Sequence, residues 1–428
     1  MVRRCGPRHS RRSLRRTRRG LACAGVPTRT LRGGGRGRTS KEESKDGSTT
    51  EATRCRRRRK RGCFASRFRL WRTRGTLDGY RLRYAAASQR GYYPQQADKA
   101  NQDSLAIHID LNGAGNHWFA VYDGHGPIGE KCSTFACEHC PKQFVDALKD
   151  GSGVSAALSS AHVTTNKMLA QRSDIDDTQS GTTAITMYLS GREVTISNVG
   201  DSRCMLGSVG DDGGIVAKAL SLDQTPYRRD ERERVKKYGA RVMTADQIDG
   251  VEPIHENWDC NLGDEIDDGG DPPRIWAQEQ EYPGTAFTRS IGDSLAEALG
   301  VVAEPEVDSH KIGPRDRVIM VASDGIFEFI TTKQCVDVAL LYSDPLEACK
   351  ALVGEAYKLW IEREDRTDDI TIILGFIEPP GVGDHSMRAH AEDLECTDVN
   401  VEGADADDGK GGGKPTTRRG SLQQQKEQ

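Results

Sequence analysis

The sequence lacks the features that mark membrane-spanning, disulfide-rich and zinc-dependent proteins. No apolar run reaches the ~20 residues that a membrane-spanning helix needs, and the mean hydropathy is −0.65. Most of the twelve cysteines are scattered along the chain, which favours a reducing compartment over a disulfide framework. No HxxxH motif occurs, so a zinc hydrolase has little support. We expect a protein that does not enter a membrane.

Two catalytic motifs are also absent. Neither GxxxxGK[ST] nor GxSxG occurs anywhere in the sequence. The first motif cradles nucleotide phosphates, and the second presents a nucleophilic serine on a sharp turn. The sequence therefore argues against a P-loop nucleotide-binding protein and against a serine hydrolase.

The charge is divided unevenly along the chain. Residues 1–75 carry 26 Lys and Arg against 4 Asp and Glu, a net charge of +22, whereas the remaining residues carry 35 against 60, a net charge of −25. The first 41 residues hold thirteen arginines and no acid, which fits an organellar transit peptide or a disordered basic arm. The basic run 54–61 fits nuclear localisation or polyanion binding, with a solvated charged tail as the plain alternative.

Apolar periodicity predicts a folded body between two tails. Residues 1–76 are predicted to be the basic arm or targeting segment, 77–378 the body and 379–428 a disordered tail. The predicted strands are Ser104–Ile109, Trp118–Tyr122, Thr183–Leu189, Glu193–Asn198, Arg317–Ala322 and Ile370–Ile377. The predicted helices are Ile128–Leu148, Val154–Gln171, Pro226–Tyr238, Thr332–Leu341 and Pro345–Arg363. Strand pairs that alternate with helix pairs indicate an α+β fold with antiparallel sheets. The acidic stretch 256–284, rich in Gly and Pro, predicts a long surface loop.

Carboxylates recur at the ends of the apolar strands. Asp123 and Asp324 each follow an apolar run and precede a glycine, Asp201 follows another run, and Asp368 opens the last strand. Carboxylate and carbonyl oxygens are hard ligands that suit Mg²⁺ or Mn²⁺. The pattern predicts one oxygen-rich metal centre, although Asp-Gly is also a common turn dipeptide. His125, held between two glycines beside Asp123, is a candidate proton donor.

A zinc site is the alternative that the cysteines allow. Cys132, Cys137 and Cys140 lie close together with His139 on a predicted helix. Neighbouring ligands on one helix point in different directions, whereas tetrahedral sites favour spaced pairs of ligands. We therefore rank this alternative well below the magnesium or manganese centre.

Eight short stretches, in order along the chain, resemble the metal-dependent serine/threonine protein phosphatases of the type 2C family. They are Lys99-Ala-Asn-Gln-Asp103, Asp123-Gly-His-Gly126, Ser180-Gly-Thr-Thr-Ala184, Asn198-Val-Gly-Asp-Ser-Arg203, Asp223-Gln-Thr-Pro226, Gly284-Thr-Ala-Phe-Thr-Arg-Ser-Ile-Gly-Asp293, Ala322-Ser-Asp-Gly325 and Thr367-Asp-Asp-Ile-Thr371. The resemblance implies a β-sandwich of two antiparallel sheets flanked by α-helices. It implies hydrolysis of phosphoserine and phosphothreonine on phosphoprotein substrates, by direct attack of a metal-bound hydroxide.

The resemblance also implies a role for individual residues. The implied metal ligands are Asp103, Asp123, the Gly124 carbonyl, Asp201, Asp324 and Asp368, which would hold two Mg²⁺ or Mn²⁺ ions and a weaker third. His125 would be the general acid. The alternative is a pseudophosphatase that uses the same fold as a binding or regulatory module, which the retained aspartates disfavour. A second rival is a nucleic-acid or polyanion binder acting through the basic arm.

Three positions depart from the family pattern. Gln102 stands where many members have Glu, so one direct carboxylate ligand is missing. No arginine aligns with the family's phosphate-binding arginine, and Lys99 is the predicted substitute, with Arg90 as the alternative. Asp369 stands where Asn is common, which adds negative charge near the centre.

The wording of several motifs is closest to the phosphatase module of plant and algal proteins that join it to cyclic-nucleotide-binding and kinase modules. Arg90-Gly-Tyr-Tyr-Pro and Tyr357-Lys-Leu-Trp carry this likeness. The expectation is a stand-alone, monomeric relative in the cytoplasm or nucleus, with an organellar location still open. Arg418-Arg-Gly-Ser-Leu resembles a site for a basophilic kinase acting on Ser421, although so short a pattern also arises by chance.

Overall fold

The computed structural model describes residues 66–256, 258, 272–380 and 397–401, and for 66–77 and 397–401 it describes the backbone alone. The strands are β1 (Ser66–Leu77), β2 (Tyr80–Gln89), β3 (Ser104–His108), β4 (His117–Tyr122), β5 (Gly124–His125), β6 (Gly181–Thr182), β7 (Ala184–Ser190), β8 (Glu193–Val199), β9 (Arg203–Val209), β10 (Ile215–Ala219), β11 (Arg241–Met243), β12 (Arg274–Trp276), β13 (Pro283–Thr285), β14 (Ile291–Gly292), β15 (Glu306–Lys311), β16 (Asp316–Ala322), β17 (Ile370–Glu378) and β18 (Thr397–Val401). The helices are α1 (Gly129–Lys149), α2 (Val154–Leu169), α3 (Arg229–Lys237), α4 (Ala245–Ile248), α5 (Ser294–Glu297), α6 (Asp324–Phe327), α7 (Thr332–Ala339) and α8 (Pro345–Arg363). Among the described residues, no helix combines the length and apolar character needed to cross a membrane.

Two large antiparallel sheets form the centre of the molecule. One has seven strands in the order β10-β9-β16-β17-β2-β1-β18, and the other has five in the order β15-β8-β7-β4-β3. Apolar side chains of both sheets share one buried cluster, in which Tyr84 meets Phe119 edge-to-face with ring centres 4.8 Å apart. The predicted β-sandwich is confirmed.

Alternation along the strands explains why both faces of each sheet are covered. In β4, Phe119 and Val121 face the cluster between the sheets, whereas Trp118, Ala120 and Tyr122 face a second cluster formed with α1 and α2. Successive side chains of a strand point to opposite faces. An apolar residue at every position from Trp118 to Tyr122 therefore requires a buried layer on each side.

The outer face of the seven-stranded sheet is covered by α7 and α8. β17 sends Ile370, Ile372, Leu374 and Phe376 into a cluster with these helices, and its Ile373 and Ile377 turn inward. α8 begins at Pro345, where the fixed φ of proline and its missing N–H suit the first turn of a helix. The result is a four-layer arrangement of helices, sheet, sheet and helices.

Most of the predicted elements occur with small shifts of their ends. The hairpin of β7 and β8 is confirmed, with Ser190 opposite Glu193, and α8 has its predicted bounds. The helix predicted at Pro226–Tyr238 begins later, at Arg229. The carbonyls of Pro226 and Tyr227 accept hydrogen bonds from the Arg232 guanidinium, which holds them in a turn before the helix.

Other elements were not predicted. β2 contains three consecutive alanines, which lack strand propensity, yet it is a central strand between β17 and β1. β15 is mostly polar because it lies at the edge of its sheet. The loop predicted at 256–284 contains β12 and part of β13, so its prediction as one long surface loop was wrong in that part. Ile275 is fully buried there, packed with Val235 and Val242.

The tails fall mainly outside the described residues. All but the last residue of β1 lies in the segment predicted as the basic arm, and β18 lies in the predicted tail. The two strands pair with each other, with Phe68 opposite Val399. Residues 1–65, 381–396 and 402–428, which include Ser421, are outside the described part of the chain. The predicted domain limits therefore stay predictions.

Candidate metal centre

The strand register brings the predicted acidic residues to one end of the sandwich. Ser104 pairs with Tyr122, so Asp103 and Asp123 adjoin at the end of β3 and β4. Ala322 pairs with Ile372 on one side and with Arg203 on the other. This places Asp324, Asp368 and Asp201, which flank these strand ends, in the same region.

Asp103 is the deepest of these carboxylates. Its side chain is buried, and its Oδ2 accepts a hydrogen bond of 2.9 Å from the Ser323 hydroxyl. Its Oδ1 is buried without a hydrogen-bond partner among the described residues. Burial and the neighbouring Asp369 raise the pKa of Asp103 to about 8. An unpartnered buried carboxylate oxygen is costly unless a cation lies beside it.

The other carboxylates raise one another's pKa values. Burial, followed by the charges of Asp103 and Asp324, raises the pKa of Asp123 well above its usual range. Burial and the charge of Asp201 do the same for Asp324. Burial and the charge of Asp223 raise the pKa of Asp201 to about 6. Ions with oxygen ligands would relieve this repulsion, so the residues present fit Mg²⁺ or Mn²⁺.

Asp368 and the loop between β2 and β3 form one side of the centre. The Tyr93 hydroxyl donates a 2.6 Å hydrogen bond to Asp368 Oδ1, and the Lys99 ammonium lies 3.8 Å from the centre of the Tyr93 ring. Arg90 instead donates to the carbonyls of Ala97 and Lys99. Arg90 thus fixes the loop, whereas the charge of Lys99 acts on the carboxylate of Asp369 and favours its ionised form.

Gly124 lies in a position that only glycine can occupy. A Cβ at this residue would stand 2.4 Å from the Gly129 carbonyl oxygen and 2.5 Å from that of Gln102. Both contacts are with main-chain atoms, which cannot move aside easily. The close approach holds the turn after β4 against the start of α1, with Asp123 and His125 on either side of Gly124.

His125 has a buried carboxylate partner. Its Nε2 lies 2.6 Å from Oδ2 of Asp293, a residue with 3% of its side chain exposed, and its ring centre lies 4.3 Å from that of Phe287. Asp293 has a left-handed backbone conformation, with φ of 55°. In the sequence, Asp293 appeared as the end of a family motif and had no assigned role, because 168 residues separate it from His125.

Two further acids near the centre were missed. Glu328, one turn after Asp324, contributes to the raised pKa values of both Asp201 and Asp324. Asp223 forms a two-point ion pair with Arg203 and also acts on Asp201. The sequence could have indicated only Glu328, because it lies four residues after Asp324 and residues i and i+4 share a helix face. The position of Asp223 relative to Asp201 carries no such signal.

A second acidic group in the described residues does not resemble an ion site. Ligand atoms of Asp230, Glu231 and Glu306 lie within 4.8 Å of one another. Arg228 pairs with Asp230 and Glu306, while Arg234 and Arg289 pair with Glu231. Despite burial, these guanidinium groups lower the pKa of Glu231 to about 2. The group is an ion-pair network joining α3 to β15.

The zinc alternative gains no support from the geometry. Cys132 and Cys140 are buried, and burial raises the pKa of each thiol to about 12. The His139 ring stacks on Phe135 with centres 4.0 Å apart, and its Nδ1 lies 2.9 Å from the Phe135 carbonyl oxygen. The Cys137 thiol donates a 3.3 Å hydrogen bond to the Leu105 carbonyl oxygen, so Cys137 and His139 both have partners within the protein.

Comparison with known proteins gives one consistent family. The model of the protein phosphatase 2C family matches residues 95–360. A probable protein phosphatase 2C 35 from Arabidopsis thaliana is 48% identical over 293 residues, covering 68% of this chain and 82% of that protein. A probable protein phosphatase 2C 64 from Oryza sativa is 28% identical over 310 residues, covering 70% of this chain and 67% of that protein.

Solved structures agree on the fold. The serine-threonine phosphatase 2C of Toxoplasma gondii superposes with a TM-score of 0.56 at 17% sequence identity, covering 72% of this chain and 99% of that one. A sex-determining protein of C. elegans gives a TM-score of 0.53 at 18% identity, covering 69% and 64%. The chain belongs to the protein phosphatase 2C family and is a metal-dependent serine/threonine protein phosphatase.

Proposed function

We propose that hydrolysis takes place at the carboxylate centre on the end of the sandwich, with two Mg²⁺ or Mn²⁺ ions and a weaker third. The supporting observation is the set of part-buried aspartates that raise one another's pKa values around the unpartnered Oδ1 of Asp103. Asp103, Asp123, the Gly124 carbonyl, Asp324 and Asp368 would hold the pair of ions. Asp201, with Glu328, would hold the third.

The ions and the side chains would divide the work of the reaction. When bound, the metal supplies positive charge that binds phosphate oxygens and activates water as a nucleophile. Lys99 would hold a phosphoryl oxygen, since its ammonium lies at the edge of the centre and Arg90 is engaged with carbonyls. His125 would protonate the leaving serine or threonine oxygen through Nδ1, because Nε2 is engaged by Asp293.

Removal of one ligand charge tests the location of the centre. Asp123→Asn and Asp324→Asn should each abolish Mn²⁺-dependent phosphate release from a phosphoserine peptide, because each removes the negative charge of a metal ligand. The fold should stay intact, because the same change reduces the repulsion between the carboxylates. Asp308→Asn is the matched control, since Asp308 is exposed on β15. Near-normal turnover of Asp123→Asn at saturating Mn²⁺ would place the chemistry elsewhere.

Four finer predictions rest on residues or relationships beyond this site. The basophilic kinase acting on Ser421, the cytoplasmic or nuclear location and the monomeric state stay predictions, as does the likeness to phosphatase modules fused to kinases. Arg90 and Tyr93, which carry part of that likeness, are used here to build the loop beside Asp368. The presence of Arg90 and Tyr93 in this chain is therefore explained by their contacts in the loop.

A further inference from the structure

Gln102 occupies the position at which a carboxylate metal ligand is missing. It directly precedes Asp103, and only 5% of it is exposed. The simplest interpretation is a lost ligand and a weakened metal site. The contacts of Gln102 point to a different role.

The main chain of Gln102 joins three parts of the centre. Its N–H donates a 2.8 Å hydrogen bond to Asp369 Oδ2. Its carbonyl oxygen accepts from the Gly124 N–H at 3.1 Å and from the Ser133 hydroxyl of α1 at 2.6 Å. These main-chain hydrogen bonds alone therefore hold Gln102 in place.

The side chain of Gln102 holds the far end of the same turn. Its Nε2 donates a 2.8 Å hydrogen bond to the Gly126 carbonyl oxygen. Gly124 and Gly126 are thus both bonded to one residue, with His125 between them. On its other side the turn packs tightly, since a Cβ at Gly126 would stand 2.0 Å from the Gln179 carbonyl oxygen.

The contact with Gly126 requires an amide. A carbonyl oxygen only accepts hydrogen bonds, and an ionised carboxylate has no hydrogen to donate. Glutamate at this position would face the Gly126 carbonyl with two acceptors in a buried site, which leaves both groups unsatisfied. The amide also packs closely on Gly129, where an added Cβ would stand 2.8 Å from Nε2.

We propose that Gln102 is a positioning residue that fixes the turn from Asp123 to Gly126, and not a weakened metal ligand. The part of this inference that concerns proton transfer rests on the proposed role of His125. Loss of the side-chain bond frees Gly126 and moves the imidazole relative to the leaving oxygen. The metal ligands on the other strands keep their places.

Two substitutions separate the amide from its alternatives. Gln102→Met keeps the length of the side chain and removes the donor, and Gln102→Glu adds the carboxylate that many relatives carry. Gln278→Glu and Gln278→Met are the matched controls, because Gln278 Nε2 also donates to a glycine carbonyl, that of Gly239, at 2.8 Å but on the exposed surface. All variants are made in the full chain.

Three measurements test the proposal. Hydrogen exchange of the segment 123–128 should be faster in both Gln102 variants than in the wild type and the controls. Turnover of a phosphoserine peptide should fall about tenfold or more, with a smaller loss on an aryl phosphate, whose leaving group needs no proton. Mn²⁺ affinity, measured by calorimetry, should be no tighter in Gln102→Glu than in the wild type.

Opposite results overturn the proposal. Tighter Mn²⁺ binding by Gln102→Glu with retained turnover would make the position a vacated ligand site. Unchanged exchange in Gln102→Met would show that the side chain does not hold the turn. The variant His125→Gln tests the proposed acid role separately. If His125→Gln keeps full turnover, His125 is not the acid, and the comparison of phosphoserine peptide with aryl phosphate no longer reports on Gln102. The hydrogen-exchange result still decides whether Gln102 holds the turn.

Discussion

At the scale of single residues, the pair of His125 and Asp293 decides how the imidazole is held. Asp293 is buried and adopts a left-handed backbone conformation. Aspartate is one of the few residues other than glycine that tolerate this conformation. The short contact between the Asp293 carboxylate and Nε2 fixes the orientation of the His125 ring.

Asp293→Asn should lower turnover of a phosphoserine peptide by about 10- to 100-fold, because the ring loses the charged acceptor that orients it. The loss should be smaller on an aryl phosphate, whose leaving group needs no proton. Asp316→Asn is the control, since His310 Nε2 lies 2.9 Å from Asp316 Oδ2 in a similar pair away from the centre. An equal loss on both substrates would reject the orienting role.

At the scale of elements, two glycines show how the packing around a helix or strand limits which side chains can replace glycine. Gly354 lies within α8, and a Cβ there would meet no atom within 4 Å. Gly207 lies within β9, where a Cβ would stand 2.5 Å from Cγ1 of Val336 on α7 and 2.7 Å from Cγ1 of Val318 on β16. The same added methyl group therefore has opposite consequences.

Gly354→Ala should raise the free energy of unfolding by about 0.5–1 kcal/mol, because alanine has the higher helix propensity and loses less backbone entropy. Gly207→Ala should lower it by about 1–3 kcal/mol through overpacking between β9, β16 and α7. Denaturant titration of both variants measures the difference. Stabilisation by Gly207→Ala would mean that the two valines move aside without cost.

At the scale of the whole molecule, the carboxylate centre couples stability to pH and to metal. The pKa values of Asp103 and Asp201 are raised to about 8 and about 6. An acid whose pKa is higher in the folded than in the unfolded state contributes stability below its unfolded pKa. That contribution is lost as the pH rises through the folded value.

The metal-free chain should therefore become less stable as the pH rises from about 4 to about 8, and added Mn²⁺ should restore stability. The increase in melting temperature on adding Mn²⁺ should be larger near pH 8 than near pH 5. Thermal unfolding with a chelator and with Mn²⁺ at the two pH values measures it. An equal increase in melting temperature at the two pH values would show that the pH dependence does not come from these carboxylates.

Local pattern determined the elements whose packing is regular. The apolar runs 118–122 of β4 and 318–322 of β16 predict buried strands, and the apolar face of α8 predicts a helix with its observed bounds. The resemblance of short motifs supplied the family and the acidic residues. Polar edges and alanine-rich stretches gave no such signal, so β15 and β2 were missed.

The sequence by itself determined which side chains could bind a metal, because carboxylates at strand ends are visible in one dimension. Only the tertiary structure decided which groups meet. The antiparallel register places Asp103 beside Asp123, a pairing across 168 residues gives His125 its partner, and Gln102 receives a role through contacts with Gly124 and Gly126. The physical reason is that hydrogen bonds and repulsion depend on distances of a few ångströms, which long-range strand pairing sets and local sequence does not.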